Sequence, residues 1–490
     1  MVFPVIGGDG KPTGYDISNS LRFNDGDSPS LQFTPSSAGN EKTWTVSFWV
    51  KRGVMGTSSS QMIFASDTNY DEYVFCRFCG TEVTGKTDMF QVFMVEPNAR
   101  EGNVRTTRLF RDPSAWYHIV VRCDLTQGTA ADRLRIYVNG VKETSFDTAS
   151  YLNQNDDNVN WNSNVPQAIG HQKQASSVER HLDGYISEFY NIDGSSLGPD
   201  SFGETNDNGV WIPKDAKNDL TFGTNGYYLQ FKQTGTSANS SGIGADTSGN
   251  DHHWTPANLA ARNVVQDTPT NNFMTWNPLY TNSRGVFAEG NCQVTTNVQG
   301  SVPYGQVEFG NFHVNSGKWY WEVEVVDVGS GGSLGLGANE RAYEGTYVNG
   351  HNNGGSSGNI RYNHSNGNVN NGSSTAVSGA ATYTDDDTIG FAMDLDNNKM
   401  YIHKNGTYIN SGDPAAGSNG ITMTSSYSDY WTPWISKDDT NHNAKVYLNT
   451  GNPVIANDSG NADDNGYGDF EYDVPAGFYA LCTKNLATYG

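Results

Sequence analysis

Positive charge is scarce in this chain. Thirty lysines and arginines stand against fifty-three acids, a formal charge of −23 over 490 residues. Such a surface repels nucleic acid and anionic lipid, which argues against a phosphate-tracking role. Apolar runs are short as well. None reaches the roughly 18 residues of a membrane-crossing helix, so no membrane insertion is expected. The N-terminus, Met1-Val2-Phe3-Pro4-Val5-Ile6, has neither a basic region nor a long apolar stretch, and no signal peptide is expected. Cysteine is rare: Cys76, Cys79, Cys123, Cys292 and Cys482. An odd number at scattered spacings is no disulfide framework, and the lone Cys76-x-x-Cys79 lacks the second ligand pair of a structural zinc site. The five read as small buried hydrophobes of a protein assembled in a reducing cytoplasm. A Gly-rich phosphate loop, an HExxH helix and a Ser-His-Asp order are missing too.

What the chain has is glycine, asparagine, serine and threonine together with 12% aromatics, more than a disordered polar chain carries. That mixture reads as short strands joined by tight turns. Trp44, Val46, Phe48 and Val50 alternate with Thr45, Ser47 and Trp49. Tyr117, Ile119, Val121 and Cys123 repeat the pattern, as do Leu134, Ile136 and Val138, and a period of two is a strand signal. Asn139-Gly140 and Asn405-Gly406 each follow such a run and mark hairpins, because both residues accept positive φ. No amphipathic helical stretch of about a dozen residues is present. The expected fold is all-β: two antiparallel, jelly-roll-like β-sandwiches over 21–235 and 276–490. A polar, partly packed connector spans 236–275, and an N-terminal arm 1–20. Trp254 and Phe273 argue that the connector is packed down. The Asn-, Gly- and Ser-rich stretch 349–372 reads as an exposed loop.

Candidate chemistry is thin. Glu322 and Glu324 share one strand face, alternating with Trp321, Val323 and Val325, and are expected on a solvated outer face. His252-His253 reads as polar loop, and Asp394-Leu395-Asp396-Asn397-Asn398 as a turn between strands. Ca²⁺ is the one cofactor considered. Its candidate ligands are Asp25 and Asp27, Asp156 and Asp157, Asp246, and Asp463 and Asp464; none has EF-hand spacing. A glycan would need outward aromatics. Trp49, Tyr137 and Trp161 fall on outward or loop positions by alternation, and Trp431 and Trp434 flank a turn. Trp161, Trp431 and Trp434 are therefore candidate ligand-binding residues, with core filling as the competing role.

Residues 43–51, 116–121, 134–140 and the closing strand Leu182-Asp183-Gly184-Tyr185-Ile186-Ser187-Glu188-Phe189-Tyr190 resemble a concanavalin A-like (laminin-G-like) sandwich. Gly317-Lys318-Trp319-Tyr320-Trp321-Glu322-Val323, Thr388–Asp396 and Tyr401–Gly406 resemble a SPRY domain. In this order, with Gly209-Val210-Trp211-Ile212-Pro213-Lys214 and Asp267-Thr268-Pro269-Thr270-Asn271 between them, they resemble structural proteins of tailed, especially marine, bacteriophages. That resemblance covers residues 20–488. It implies a non-catalytic virion component (tail fibre, tail appendage or head decoration), assembled in the host cytoplasm and exposed on the particle. Its partners would be other virion proteins and a host cell-surface glycan or protein. Uncovered strand edges favour a homo-oligomer. Two alternatives stand beside it: a polysaccharide depolymerase, and a purely architectural decoration protein. The depolymerase needs paired carboxylates about 5 Å apart, and the closing strand offers only Glu188.

Overall fold

Alternation in the sequence becomes paired layers in space. The structure, a computed structural model, describes residues 14–69, 72–96, 101–156, 160–173, 179–280, 285–296, 306–330, 333–339, 358–425, 430–438, 442–455, 457 and 459–490. The described residues divide at 270/271 into two units, each with its own core.

In the first unit, Thr43–Arg52 lies between Trp116–Asp124 and Gly184–Asp193, antiparallel to both. Leu134–Val138 and Val141–Lys142 extend one side, joined through Asn139 and Gly140 at φ +48° and +78°. That is the hairpin expected of Asn-Gly. Ser20–Phe23 and Val264–Val265 extend the other side. The facing sheet runs Phe146–Ser150, Glu101–Leu109, Met89–Val95, Glu72–Phe78, Gln61–Asn69, Gln167–Ile169, Ser30–Phe33, Thr255–Ala257. Trp44, Val46, Phe48 and Val50 point between the sheets with Phe64, Val92 and Ile119, all fully buried. Each such side chain contributes about 2–3 kcal/mol by leaving water.

The outer face of the first sheet is covered too. Trp49, expected outward, is buried among Ile17, Trp116, Tyr185 and Val265, and Tyr137 packs against a second cluster around Tyr190, Phe202 and Tyr228. Alternation assigns a face but not what lies over it, and here later chain segments do. The stretch read as a connector divides. Its Trp254 is in the first core, Thr255–Ala257 and Val264–Val265 are strands of the first unit, and residues 271–275 go with the second unit. Asp267 anchors it: Lys51 pairs with it at 2.7 Å, both side chains fully buried, and Trp116 Nε1 donates to it at 3.1 Å. Of the arm, residues 1–13 lie outside the described residues; Ser20 already belongs to a strand.

In the second unit, Lys318–Asp327 is the central strand, with Thr388–Asp394 and then Lys399–Lys404 on one side. Lys445–Asn449 pairs antiparallel with the other side of the central strand, and Tyr479–Ala480 pairs parallel with that central strand at Trp319 and Tyr320. The facing sheet runs Gln306–Phe309, Thr432–Asp438, Ser333–Asn339, Asn359–Asn363, Val369–Asn371, Ser374–Val377. This corrects the exposed-loop reading of 349–372: 349–357 lie outside the described residues, but Asn359–Asn363 is a buried strand whose Ile360 and Tyr362 fill the core. Polar composition hid a strand whose alternate residues are apolar. The described helices are short, Ala130–Arg133 and Thr483–Tyr489. All five cysteines are buried thiols outside any disulfide.

Candidate functional site

Tyr320, Glu322 and Glu324 project from the outer face of Lys318–Asp327. That face is not bare. Phe470, Phe478, Ala480 and Cys482 from the chain's last stretch pack on Tyr320, Ala392 and Tyr401. Glu322 is therefore only 2% exposed, which corrects the solvated position expected for it. Its Oε1 accepts from Tyr320 Oη and the Tyr472 amide, both at 2.9 Å. Its Oε2 accepts from the Glu471 amide at 2.9 Å and Asn449 Nδ2 at 3.2 Å. A directed chain leads to it. The Gly406 amide donates to His403 Nδ1, so Nε2 carries the proton and donates to Tyr320 Oη at 2.7 Å, which in turn donates to Glu322. Burial pushes His403 down to about 4 and Glu322 up to about 7, in the latter case against its four donors. The imidazole lies over Gly390, where an added Cβ would stand 1.9 Å from Nε2.

Beside this network the sheet opens into a recess of about 370 Å³. Glu322, Glu324, Asp386 and Glu471 supply its carboxylates, Tyr447 and Tyr472 its aromatic walls, Asn449 and Asn457 its amides, and Val454 and Ile455 an apolar lip. Among the described residues, no lysine or arginine lines it. Lys404 is paired with Asp387 at 2.8 Å, and Lys445 stands over the Tyr447 ring, 5.3 Å from its centroid. Glu324 is half-buried, and burial together with the negative charges of Asp386 and Glu471 raises its carboxyl above the usual range. The recess can hold a small polar molecule against a rigid sheet, with its electrostatics favouring a positively charged one.

The first unit holds two arrangements of catalytic residue types. Glu188 sits on a bulge, at φ +51°, where the pairing with Thr43–Arg52 shifts between Ser187 and Tyr190. It is 2% exposed, and its Oε2 accepts from Tyr190 at 3.1 Å and from Tyr228. Burial, opposed by those hydroxyls, raises it to about 7. Asp183 and Asp193 do not join it: Asp193 holds the Asn40 and Asn225 amides and Asp183 the Val54 amide. Ser47 Oγ and His118 Nε2 are 2.8 Å apart, like a nucleophile and its base. Trp211 Nε1 donates to His118 Nδ1, however, so Nε2 carries the proton and cannot accept one from Ser47. Burial lowers His118 to about 3.

The structure takes the sequence-predicted aromatics out of solvent. Trp161 is fully buried against Trp44 and Phe64, with Nε1 donating to Asn191; Trp431 and Trp434 are each 2% exposed, and Trp434 Nε1 donates to the Ile360 carbonyl. These three correct the ligand-binding assignment, because an indole in a sandwich gains more by burial than by display. Among the acids, Asp246 accepts the Tyr228, Ser248 and His252 amides and the Ser248 hydroxyl. Asp463 accepts the Asn465, Tyr467 and Ala480 amides and Asn485 Nδ2. Four donors occupy the four lone-pair positions of each carboxylate and leave none for Ca²⁺. Asp464 holds the Gly477 amide, Asp156 the Asn153 amide and Asp27 the Asn24 side chain, while burial raises Asp25. Asp157 lies outside the described residues. No group of three or more His, Cys, Asp or Glu side chains is placed to hold a metal among the described residues.

Residues 25–195 match the profile of the concanavalin A-like lectin/glucanases superfamily, and residues 318–415 match that of the SPRY domain. The first unit carries a concanavalin A-like domain and the second a SPRY domain. The SPRY domain of human HERC1 is 16% identical, with 35% of this chain covering 96% of it at a TM-score of 0.26. A candidate carbohydrate binding protein from Bacteroides ovatus is 15% identical at 0.33, with 49% of this chain spanning 58% of that one. Domain 4 of AbnA, an extracellular arabinanase of Geobacillus stearothermophilus, is 19% identical at 0.24, with 33% of this chain covering 65% of it. No curated protein matches the chain.

The recess was not visible from the strand pattern. A signal was present nonetheless. Tyr467, Phe470, Tyr472, Phe478 and Tyr479 form an aromatic stretch without alternation, which needs an existing face to pack on, and Tyr320-x-Glu322 is that face.

Proposed function

We propose that this chain is a non-catalytic virion protein, a tail fibre, tail appendage or head decoration, that binds a host cell-surface glycan or protein. Two sandwich domains of recognition type support a binding role. The observation that carries the reading is the SPRY-unit recess, where carboxylates, amides and tyrosines converge on one hollow of a rigid sheet. The burial of Glu188 without a partner carboxylate supports the non-catalytic part.

The test is binding of the purified chain to a panel of bacterial surface polysaccharides, with reducing ends counted in the same wells. Binding without new reducing ends is expected. New reducing ends overturn the non-catalytic reading, and no binding at all favours an architectural role. An antibody against the chain that decorates intact particles tests the virion assignment separately.

A further inference from the structure

We propose that the SPRY-unit recess binds an amino sugar, a hexosamine residue carrying a free ammonium group, with Glu324, Asp386 and Glu471 facing the ammonium. This deepens the binding function above and rests on it.

Three separate elements bring these carboxylates together: the central strand Lys318–Asp327, the turn before Thr388–Asp394, and the coil that crosses the sheet after Phe470. A fourth, Glu322, forms the floor with its oxygens already satisfied. Among the described residues, no basic side chain lines the hollow to balance them. Folding has placed like charges near one another, and a cation entering the recess recovers that repulsion. The walls argue for a sugar rather than a bare ion. Thr388, Tyr447 and Tyr472 carry hydroxyls that both donate and accept, as sugar hydroxyls require. A tyrosine face suits both an ammonium and the apolar side of a pyranose. A volume of about 370 Å³ accommodates one or two sugar residues and lies in the ordinary range of small-molecule clefts.

Calorimetric titration of the full chain with the trimer of glucosamine, its N-acetylated counterpart and trilysine tests this. The free-amine trimer is expected to bind at least tenfold more tightly than the acetylated one, and to weaken with salt. Glu324→Gln is expected to cost it tenfold or more. Asp386→Asn is a second variant that keeps the fold, since Asp386 is exposed and sits at φ +65°, a conformation asparagine accepts. Equal affinity for the acetylated trimer overturns the proposal, as does affinity that neither substitution changes. Trilysine binding without sugar binding also overturns it and assigns the recess to a basic peptide. A polysaccharide bound equally well by wild type and Glu324→Gln removes this inference and leaves the binding function standing. Failure to bind any member of the polysaccharide panel removes the glycan-binding function itself.

Discussion

Single carboxylates in this protein hold neighbouring segments in place. Glu188 shows it in the first unit. Its folded carboxyl titrates near 7 against an ordinary 4.5, because burial disfavours the anion. A raised value contributes stability that is complete below about pH 4.5 and is lost as the pH rises through about 7. The size is about 3 kcal/mol at alkaline pH. The first unit should therefore show a lower urea midpoint at pH 8 than at pH 5, and Glu188→Gln should flatten that dependence. An unchanged slope in the variant would place the pH response elsewhere. Asp463 makes the same point by geometry. Asp463→Ala leaves four donors without their acceptor and is expected to destabilise the SPRY unit by about 3 kcal/mol, read from its denaturant midpoint. The sequence shows Asp463 as one acid in an oxygen-rich loop. It does not show that the donors that saturate it include the amide of Ala480 and the side chain of Asn485, because long-range capping leaves no mark on spacing.

At the scale of strands, period-two alternation placed Trp44 to Val50, Ile119 to Cys123 and Leu134 to Val138 on the core side, where the structure has them. It failed on the outer faces. Trp49 and Glu322 alternate as outward residues should, and both are buried: Ile17 and the short strand Val264–Val265 pack around Trp49, and the coil at Glu471 and Tyr472 closes over Glu322. Burial on both faces is legible only when the covering segment carries its own pattern, and these carry none. Close fit between neighbouring strands yields a further prediction. Gly390 lies opposite His403, and a methyl group there collides with the imidazole. Gly390→Ala is expected to cost about 1–3 kcal/mol and to break the His403–Tyr320–Glu322 chain, visible as a shift of the His403 ring resonances. Trp161→Ala in the first core is expected to cost about 3–5 kcal/mol, with ligand binding by the SPRY recess unchanged. Loss of that binding in a folded Trp161→Ala protein would return the indole to the ligand-binding role.

At the scale of the whole molecule, each half owns its core. Residues 14–270 and 271–490, expressed separately, should each unfold in one cooperative transition, checked by calorimetry of the two pieces. Calcium belongs at this scale as well. With the carboxylates of Asp246 and Asp463 filled by protein donors, a chelator is expected to leave both transitions in place. A fall of several degrees on chelation would put a cation at one of the remaining candidates.

The two ends of the first unit meet. Ile17 donates to Thr270 Oγ1, Thr270 Oγ1 donates to Asp16, and Ser20–Leu21 runs antiparallel to Val264–Val265. The SPRY unit repeats the device: the Asn272 amide donates to Thr483 Oγ1, and Phe273 bridges Cys482. A tensile load on the backbone thus enters and leaves each module at one seam. Terminal strands side by side and antiparallel open like a zipper, one hydrogen bond at a time, instead of shearing as a set. Under tension such a chain is expected to yield first at those seams, with both sandwiches still closed.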